Sequence, residues 1–186
     1  MNVVVIPDAA MVVIPLIEKN GHTYLSPSDF SRYDNMDICE GKLSYEDIVT
    51  PYLSSEVPSG IKGRLFLFAN VLDKADAAII IGKRPKKYKR MYDVLNDLIL
   101  FGGNSCNNAH SLTVKMIQDL NIPTLKLAYP ITQSRIIDMI DKTNSFLRNL
   151  NDMSGTFNED NLDVDLKGKR DKCPICDVEK ILNNLI

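Results

Sequence analysis

Length, composition and charge narrow the class of protein. The 186 residues fit one compact domain with room for an appendage, and 45% hydrophobic with 25% charged residues is typical of a globular protein with a buried core. A formal net charge of -2 argues against a general nucleic-acid binder. No apolar run reaches the roughly 18 residues that span a bilayer. The 4 cysteines do not resemble a secreted disulfide framework, so we expect a reducing, cytoplasmic setting.

The first half of the chain alternates apolar strands with amphipathic helices. The β-branched run at residues 2–6 predicts a strand, and a helix is expected from Asp8 to Gly21, kinked or shortened by Pro15. Residues 77–82, "AAIIIG", predict a strand that is buried on both faces. Between these strands a helix is predicted by an apolar stripe at helical spacing: Ile61, Leu65, Phe68 and Leu72.

The second half continues this alternation. The basic run "KRPKKYKR" at residues 83–90 is followed by a predicted helix over 91–100. Another helix is expected to begin at Asn107, a strand covers 123–128, and a long last helix begins near Thr132. Strands that alternate with helices predict parallel pairing through right-handed crossovers. The fold class is therefore α/β, a small three-layer sandwich with a mainly parallel sheet.

The character of the sequence changes near residue 151. The segment from there to the end carries eight acidic and five basic side chains and is rich in asparagine. We interpret 1–150 as the α/β domain, 151–170 as a linker, and 171–186 as a short helical tail led by "CPIC". The tail is thus a C-terminal extension of the domain.

An anion site is predicted where the helices begin. In a parallel sheet every crossover helix begins at the edge where the strands end, and ligands gather there. The positive helix ends and their free backbone N–H groups attract anions. The donors expected at this edge are Ser59, Gly60, Lys62 and Arg64. The alternative is that Ser59 only caps its helix.

The stretch "FGGNSCNNAH" places Cys106 directly before a predicted helix. A helix start and nearby cations favour the thiolate, which predicts a reactive thiol or a metal ligand. The alternative is that Cys106 packs as a small hydrophobic residue. Cys173 and Cys176 have the spacing of metal-ligand and redox pairs, but they make only half of a tetrahedral site. The pair could bind zinc or an iron–sulfur cluster, with the site completed by Cys106 and Cys39, by a second subunit or by a partner protein. The other interpretations are a redox role and no special chemistry.

A basic run and the two histidines are the remaining candidates for binding or chemistry. We interpret the basic run from Lys83 to Arg90 as a solvated loop in preference to a nucleic-acid contact, because only Tyr88 is available for base stacking. His110, four residues after Cys106, is a weaker candidate for a ligand or a base. His22 follows a predicted helix end and is interpreted as a capping or surface residue.

Four stretches resemble the methanogenesis marker protein 5 family, an archaeal family confined to methanogens. They are "VPSG" with "GRL" at residues 57–65, "ADAAII" at 75–80, Phe101–Gly102, and "IPTLKLAYP" at 122–130. The likeness covers residues 1 to 150. Two departures accompany it: Gly103 stands where the family tends to carry the first cysteine of a C-x-x-C pair, and residues 84–98 look like an insertion.

The resemblance implies a role in methane formation. Marker proteins of this group sit in gene clusters linked to methyl-coenzyme M reductase, so the first hypothesis is an accessory protein that assists assembly or activation of that enzyme. It would act through contacts with other methanogenesis proteins and a thiol-bound metal centre. The second hypothesis is a small anion-binding protein or thiol enzyme with its site at the strand-end edge.

Overall fold

A five-stranded parallel sheet forms the centre of the structure, with strand order β2-β1-β3-β4-β5. The computed structural model describes residues 1–8, 10–27, 50–52, 57–72, 74–85, 100, 107–150 and 156–158. The strands are β1 Asn2–Ile6, β2 Thr23–Tyr24, β3 Ala77–Ile81, β4 Thr124–Leu127 and β5 Thr156–Asn158. The three predicted strands are confirmed, and they are parallel and adjacent.

The helices of the described residues are α1 Ile14–Lys19, α2 Ser59–Leu72, α3 Asn107–Asp119 and α4 Gln133–Arg148. Side chains next to the first turn help to fix where a helix begins. The Thr132 side chain accepts a hydrogen bond from the backbone N–H of Arg135 at 3.3 Å and so caps α4. The starts predicted near Gly60, Asn107 and Thr132 are confirmed.

The start of α1 differs from the prediction. The helix begins at Ile14 rather than near Asp8, and Pro15 lies in its first turn. Proline is favoured at this position because its fixed φ suits a helix start and its missing N–H costs no helical hydrogen bond. Gly21, at φ +78°, ends the segment in a left-handed conformation that glycine adopts without steric cost. Pro15 therefore shortens the predicted helix from its N-terminal side.

Two hydrophobic layers sandwich the sheet, because successive side chains of each strand point to opposite faces. On one face Val3, Val5, Ile79 and Leu125 pack against α1 and α4. On the other face Val4, Ile6, Ala78 and Ile80 pack against α2 and α3. The predicted stripe on α2 is buried throughout, and β3 is buried at every position. The three-layer α/β sandwich is confirmed.

The last crossover has the opposite hand to the others. The connections from β2 to β3 and from β3 to β4 run in one direction along the sheet, and both pass through helices on the α2–α3 face. The connection from β1 to β2 runs in the opposite direction, through α1 on the other face. The step from β4 to β5 continues in the direction of the step from β3 to β4, but α4 lies on the α1 face. The prediction of right-handed crossovers throughout is therefore wrong for α4.

The position of α4 has a physical cause in its packing on α1. The Nδ2 of Asn20 donates to Oδ1 of Asn144 at 3.0 Å, and the Nε2 of His22 donates to the carbonyl of Leu147 at 2.9 Å. The two helices also share one apolar cluster. His22 thus caps a carbonyl near the end of α4, the helix that packs beside its own.

Part of the predicted organisation falls outside the described residues. The helix predicted over 91–100 lies there except for Leu100, which is helical, and so does the tail 171–186. Within the predicted linker 151–170, residues 156–158 form β5, with Leu125 opposite Phe157. Within the part of the chain that the structure describes, no helix is both long and apolar enough to cross a membrane.

Candidate functional site

The candidate site lies at the carboxyl edge of the sheet, between β1 and β3. The chain leaves β1 towards β2 on one side and later returns to β3 on the other, so the crossovers diverge at this point. Such a switch point leaves a crevice in which doubly wound α/β proteins bind their ligands. Five polar residues of four different segments meet there, which we call the edge cluster: Asp8, Arg64, Lys83, His110 and Ser111.

Asp8 and Arg64 form the first contact of the edge cluster. Asp8 follows the end of β1, and Arg64 lies on α2; the guanidinium donates a hydrogen bond to the Asp8 carboxylate. The two side chains are 36% and 34% exposed, so the ion pair is partly solvated and adds at most about 1 kcal/mol to stability. Its main consequence is to hold the guanidinium at the mouth of the crevice.

Lys83 and Ser111 form the second contact. Lys83 lies two residues beyond the end of β3, and its Nζ donates to the Oγ of Ser111 on α3 at 2.8 Å. The lysine is exposed, so an ammonium group stands at the edge beside the first turns of a helix. The positive end of that helix adds to the charge of the ammonium.

His110 lies on α3 directly before Ser111, the residue that Lys83 contacts. The residue is only 8% exposed. Burial, followed by the positive charges of Lys83 and Arg64, lowers the pKa of His110 from 6.5 to about 4. The imidazole is therefore neutral at pH 7, and one carboxylate with two cations leaves the described cluster with an excess positive charge.

The structure brings together only part of the predicted anion site. Ser59 and Gly60 are the exposed first residues of α2, and a Cβ placed on Gly60 would meet no described atom within 4 Å. Arg64 lies one turn later on the face of Gly60. Lys62, half-buried, lies two residues from Arg64, a spacing that turns its side chain to a different side of the helix.

All four cysteines lie outside the described residues, including the candidate ligands Cys106, Cys173 and Cys176. Of the described side chains, no three from His, Cys, Asp and Glu come close enough to hold a metal ion. Cys106 directly precedes Asn107, the first residue of α3.

A small cleft lies elsewhere, between the end of β4 and α4. It offers about 20 Å³, room for little more than one water molecule. One of its two cations, Lys142, forms an ion pair with Asp138 at 3.2 Å. The lining residues are Leu127, Ala128, Arg135, Asp138, Met139 and Lys142. The edge cluster is the better candidate for a binding site than this cleft, because it combines charges of both signs with a buried histidine at the switch point of the sheet.

Four members of the edge cluster have a weak signal or none in the sequence. The sequence predicts a solvated loop at Lys83 and a weaker candidate at His110, and it marks neither Asp8 nor Ser111 as a site residue. The signal for Lys83 was available: it follows the apolar strand directly, and side chains just past a parallel strand lie at the ligand edge. The pairing of Asp8 with Arg64 has no local signal, because 56 residues separate them.

Comparison with known proteins places the chain in an archaeal family. No solved structure matches it. An uncharacterized protein of Methanocaldococcus jannaschii is 27% identical over 164 residues, which cover 80% of this chain and 95% of that relative. The family model for "Uncharacterized protein conserved in archaea (DUF2112)" matches residues 1–150, which include all five residues of the edge cluster. This chain belongs to the DUF2112 family of proteins conserved in archaea.

Proposed function

We propose that this protein binds a small oxyanion, a phosphate or carboxylate group of a ligand, at the edge cluster. The observation that carries the proposal is a pair of anchored cations at the carboxyl edge of the sheet: Arg64 of α2 bonds to Asp8 after β1, and Lys83 after β3 bonds to Ser111. Each cation is held by a neighbour, Asp8 or Ser111, in the free protein. A site that is ordered in advance loses less entropy when its ligand docks.

The chemistry of the edge cluster suits an anionic ligand with further polar groups. The ammonium of Lys83 and the guanidinium of Arg64 can donate charge-assisted hydrogen bonds to oxyanion atoms. The Asp8 carboxylate lies beside the guanidinium and accepts hydrogen bonds only, so a ligand group next to it must be a donor such as a hydroxyl. The first backbone N–H groups of α2 and α3 supply further donors at the same edge.

Isothermal titration with inorganic phosphate tests this proposal. The wild-type protein is expected to bind phosphate, and Lys83→Ala is expected to weaken binding by about tenfold, or about 1.4 kcal/mol. The matched control is Lys115→Ala on the same helix, since Lys115 pairs with Asp119 at the other end of α3. Equal affinity in all three proteins, or no binding to the wild type, contradicts the proposal.

We also propose a cellular context: the protein assists assembly or activation of methyl-coenzyme M reductase. The support is the resemblance of residues 1–150 to methanogenesis marker protein 5, together with the archaeal distribution of the DUF2112 family. In this proposal Cys106, Cys173 and Cys176 hold a metal centre, zinc or iron–sulfur, and other methanogenesis proteins are the partners.

A pull-down from methanogen extract under anoxic conditions tests the cellular proposal. Recovery of reductase subunits or activation factors with the tagged protein supports it, and their absence from the bound fraction contradicts it. A variant with Cys173→Ser and Cys176→Ser is the control for the metal centre. Loss of bound zinc or iron in that variant, measured by elemental analysis, supports cysteine ligation; equal metal content contradicts it.

A further inference from the structure

We propose that Asp8 selects the ligand of the edge cluster, and that this ligand is a polyol that carries a phosphate or a carboxylate group. This inference rests on the proposed oxyanion binding and names its substrate class. Arg64 and Lys83 hold the oxyanion, and the Asp8 carboxylate accepts a hydrogen bond from a hydroxyl of the same ligand. A bare anion would meet the carboxylate without that hydrogen bond.

The backbone places Asp8 beside Lys83 at the edge of the sheet. The strands β1 and β3 are parallel neighbours in which Ile6 stands opposite Ile80. Asp8 follows the end of β1 by two residues, and Lys83 follows the end of β3 by two residues. Because neighbouring strands lie about 4.8 Å apart, the two residues leave the sheet side by side, and one small ligand can span them.

The contact between Asp8 and Arg64 leaves hydrogen-bonding capacity on both side chains. It joins one guanidinium nitrogen, Nη2, to one carboxylate oxygen, Oδ1. A guanidinium has several further N–H donors, and a carboxylate has a second oxygen that can only accept. Both side chains are about one third exposed, so a solute reaches the pair. The pair therefore presents donors and an acceptor side by side, which complements an oxyanion with a hydroxyl next to it.

The charge of Asp8 turns this complementarity into selectivity. An oxyanion held beside Arg64 lies near a carboxylate of the same sign, which opposes its binding. A hydroxyl of the ligand that donates to the carboxylate offsets this repulsion, because a hydrogen bond to a charged acceptor is stronger than one between neutral groups. The site therefore favours a hydroxylated oxyanion over a bare one.

Isothermal titration with two matched phosphate monoesters tests this inference. Glycerol 3-phosphate and propyl phosphate have the same chain length and the same charged group, and only the first carries free hydroxyls. The wild type is expected to bind glycerol 3-phosphate about tenfold more tightly than propyl phosphate. Asp8→Ala is expected to lose this preference and to bind propyl phosphate more tightly than the wild type does, because the repulsion is removed.

Two further variants and a second ligand pair complete the experiment. Asp8→Asn keeps an oxygen acceptor at the same position and is expected to retain more of the preference than Asp8→Ala. Asp119→Ala, which removes the partner of Lys115 at the other end of α3, is expected to leave both affinities at their wild-type values. Glycerate and propionate repeat the comparison with a carboxylate, so the pair that shows the preference identifies the oxyanion.

The outcomes separate this inference from the proposed function. Equal affinity of the wild type for the hydroxylated and the bare ligand, in both pairs, overturns selection by Asp8 and leaves oxyanion binding standing. A preference that persists in Asp8→Ala overturns it because another group then recognises the hydroxyl. Equal weakening of both ligands in Asp8→Ala also overturns it, since Asp8 then only positions Arg64. If none of these ligands binds, the proposed oxyanion binding is wrong and this inference with it.

Discussion

The Nζ of Lys83 donates a hydrogen bond to the Oγ of Ser111 over 2.8 Å, which ties the segment after β3 to the first turns of α3. The bond places an ammonium next to His110, the residue before Ser111. A positive charge there opposes protonation of the imidazole. The protonation of His110 therefore responds to the charge at the edge cluster as well as to burial.

We predict that Lys83→Ala raises the pKa of His110 from about 4 towards its ordinary 6.5 in the absence of any ligand. Lys83 is the largest cause of the lowered pKa after burial, so its removal relieves part of the effect. NMR titration of the His110 ring protons measures the change. Lys115→Ala is the control, and a midpoint that is the same in all three proteins would show that the lysine charge does not reach the ring.

The same pKa predicts how stability depends on pH. The folded-state pKa of about 4 lies below the unfolded value of 6.5, so the unfolded chain binds more protons between these pH values. The contribution of His110 to the free energy of unfolding is therefore largest above about pH 6.5, and it falls as the pH drops towards 4. From about pH 7.5 to about pH 5, His110 alone should remove about 2 kcal/mol.

Urea unfolding of the wild type and of His110→Gln at several pH values isolates this contribution, because the two proteins share all other titrating groups. The difference between their free energies of unfolding should change by that amount over the range. Parallel pH profiles would be incompatible with a buried neutral His110.

The fold was predictable from sequence because the signals for it are local. The apolar run at residues 77–81 and the apolar stripe on α2 each predict burial from their own residues. Such segments lower the free energy of the chain when their apolar surface is removed from water. The start of α1 was missed because "DAAMVV" satisfies a helical pattern up to Pro15, and only the structure shows that the helix begins at Ile14.

The site was less predictable because its contacts are distant in the sequence. Arg64 was expected at the edge from the start of α2, but its partner Asp8 is 56 residues away. Lys83 and Ser111 are 28 residues apart, and the basic composition after Lys83 made a solvated loop the simpler interpretation. The low exposure of His110 follows from how α3 packs beside α2, which no local pattern encodes.

The α/β domain is predicted to end at Leu150. The family model covers residues 1–150, and β5 adds only three residues at the sheet edge. A chain of residues 1–150 should therefore lose less than about 1 kcal/mol of stability, a fall in Tm below about 4 °C. Leu150→Ala in the full chain is the contrasting variant: this side chain is 1% exposed, and truncating it should cost about 2–5 kcal/mol.

Thermal and urea unfolding of the three proteins decide this boundary. A truncated chain that unfolds without cooperativity would show that residues beyond 150 belong to the domain. Hydrogen exchange adds a local measure, since a three-residue edge strand should protect 156–158 far less than the central strand β3.

The last prediction concerns the thiol that precedes α3. Cys106 stands one residue before Asn107 in the chain, and a helix start together with cations favours the thiolate, which is the form that alkylates. Cys106 should therefore react with iodoacetamide faster than Cys39 at mildly acidic to neutral pH. The double variant Lys62→Ala with Arg64→Ala should slow Cys106 and leave Cys39 unchanged. Mass spectrometry of each cysteine peptide gives both rates in one sample, and a Cys106 rate that ignores both substitutions would assign the thiol to packing.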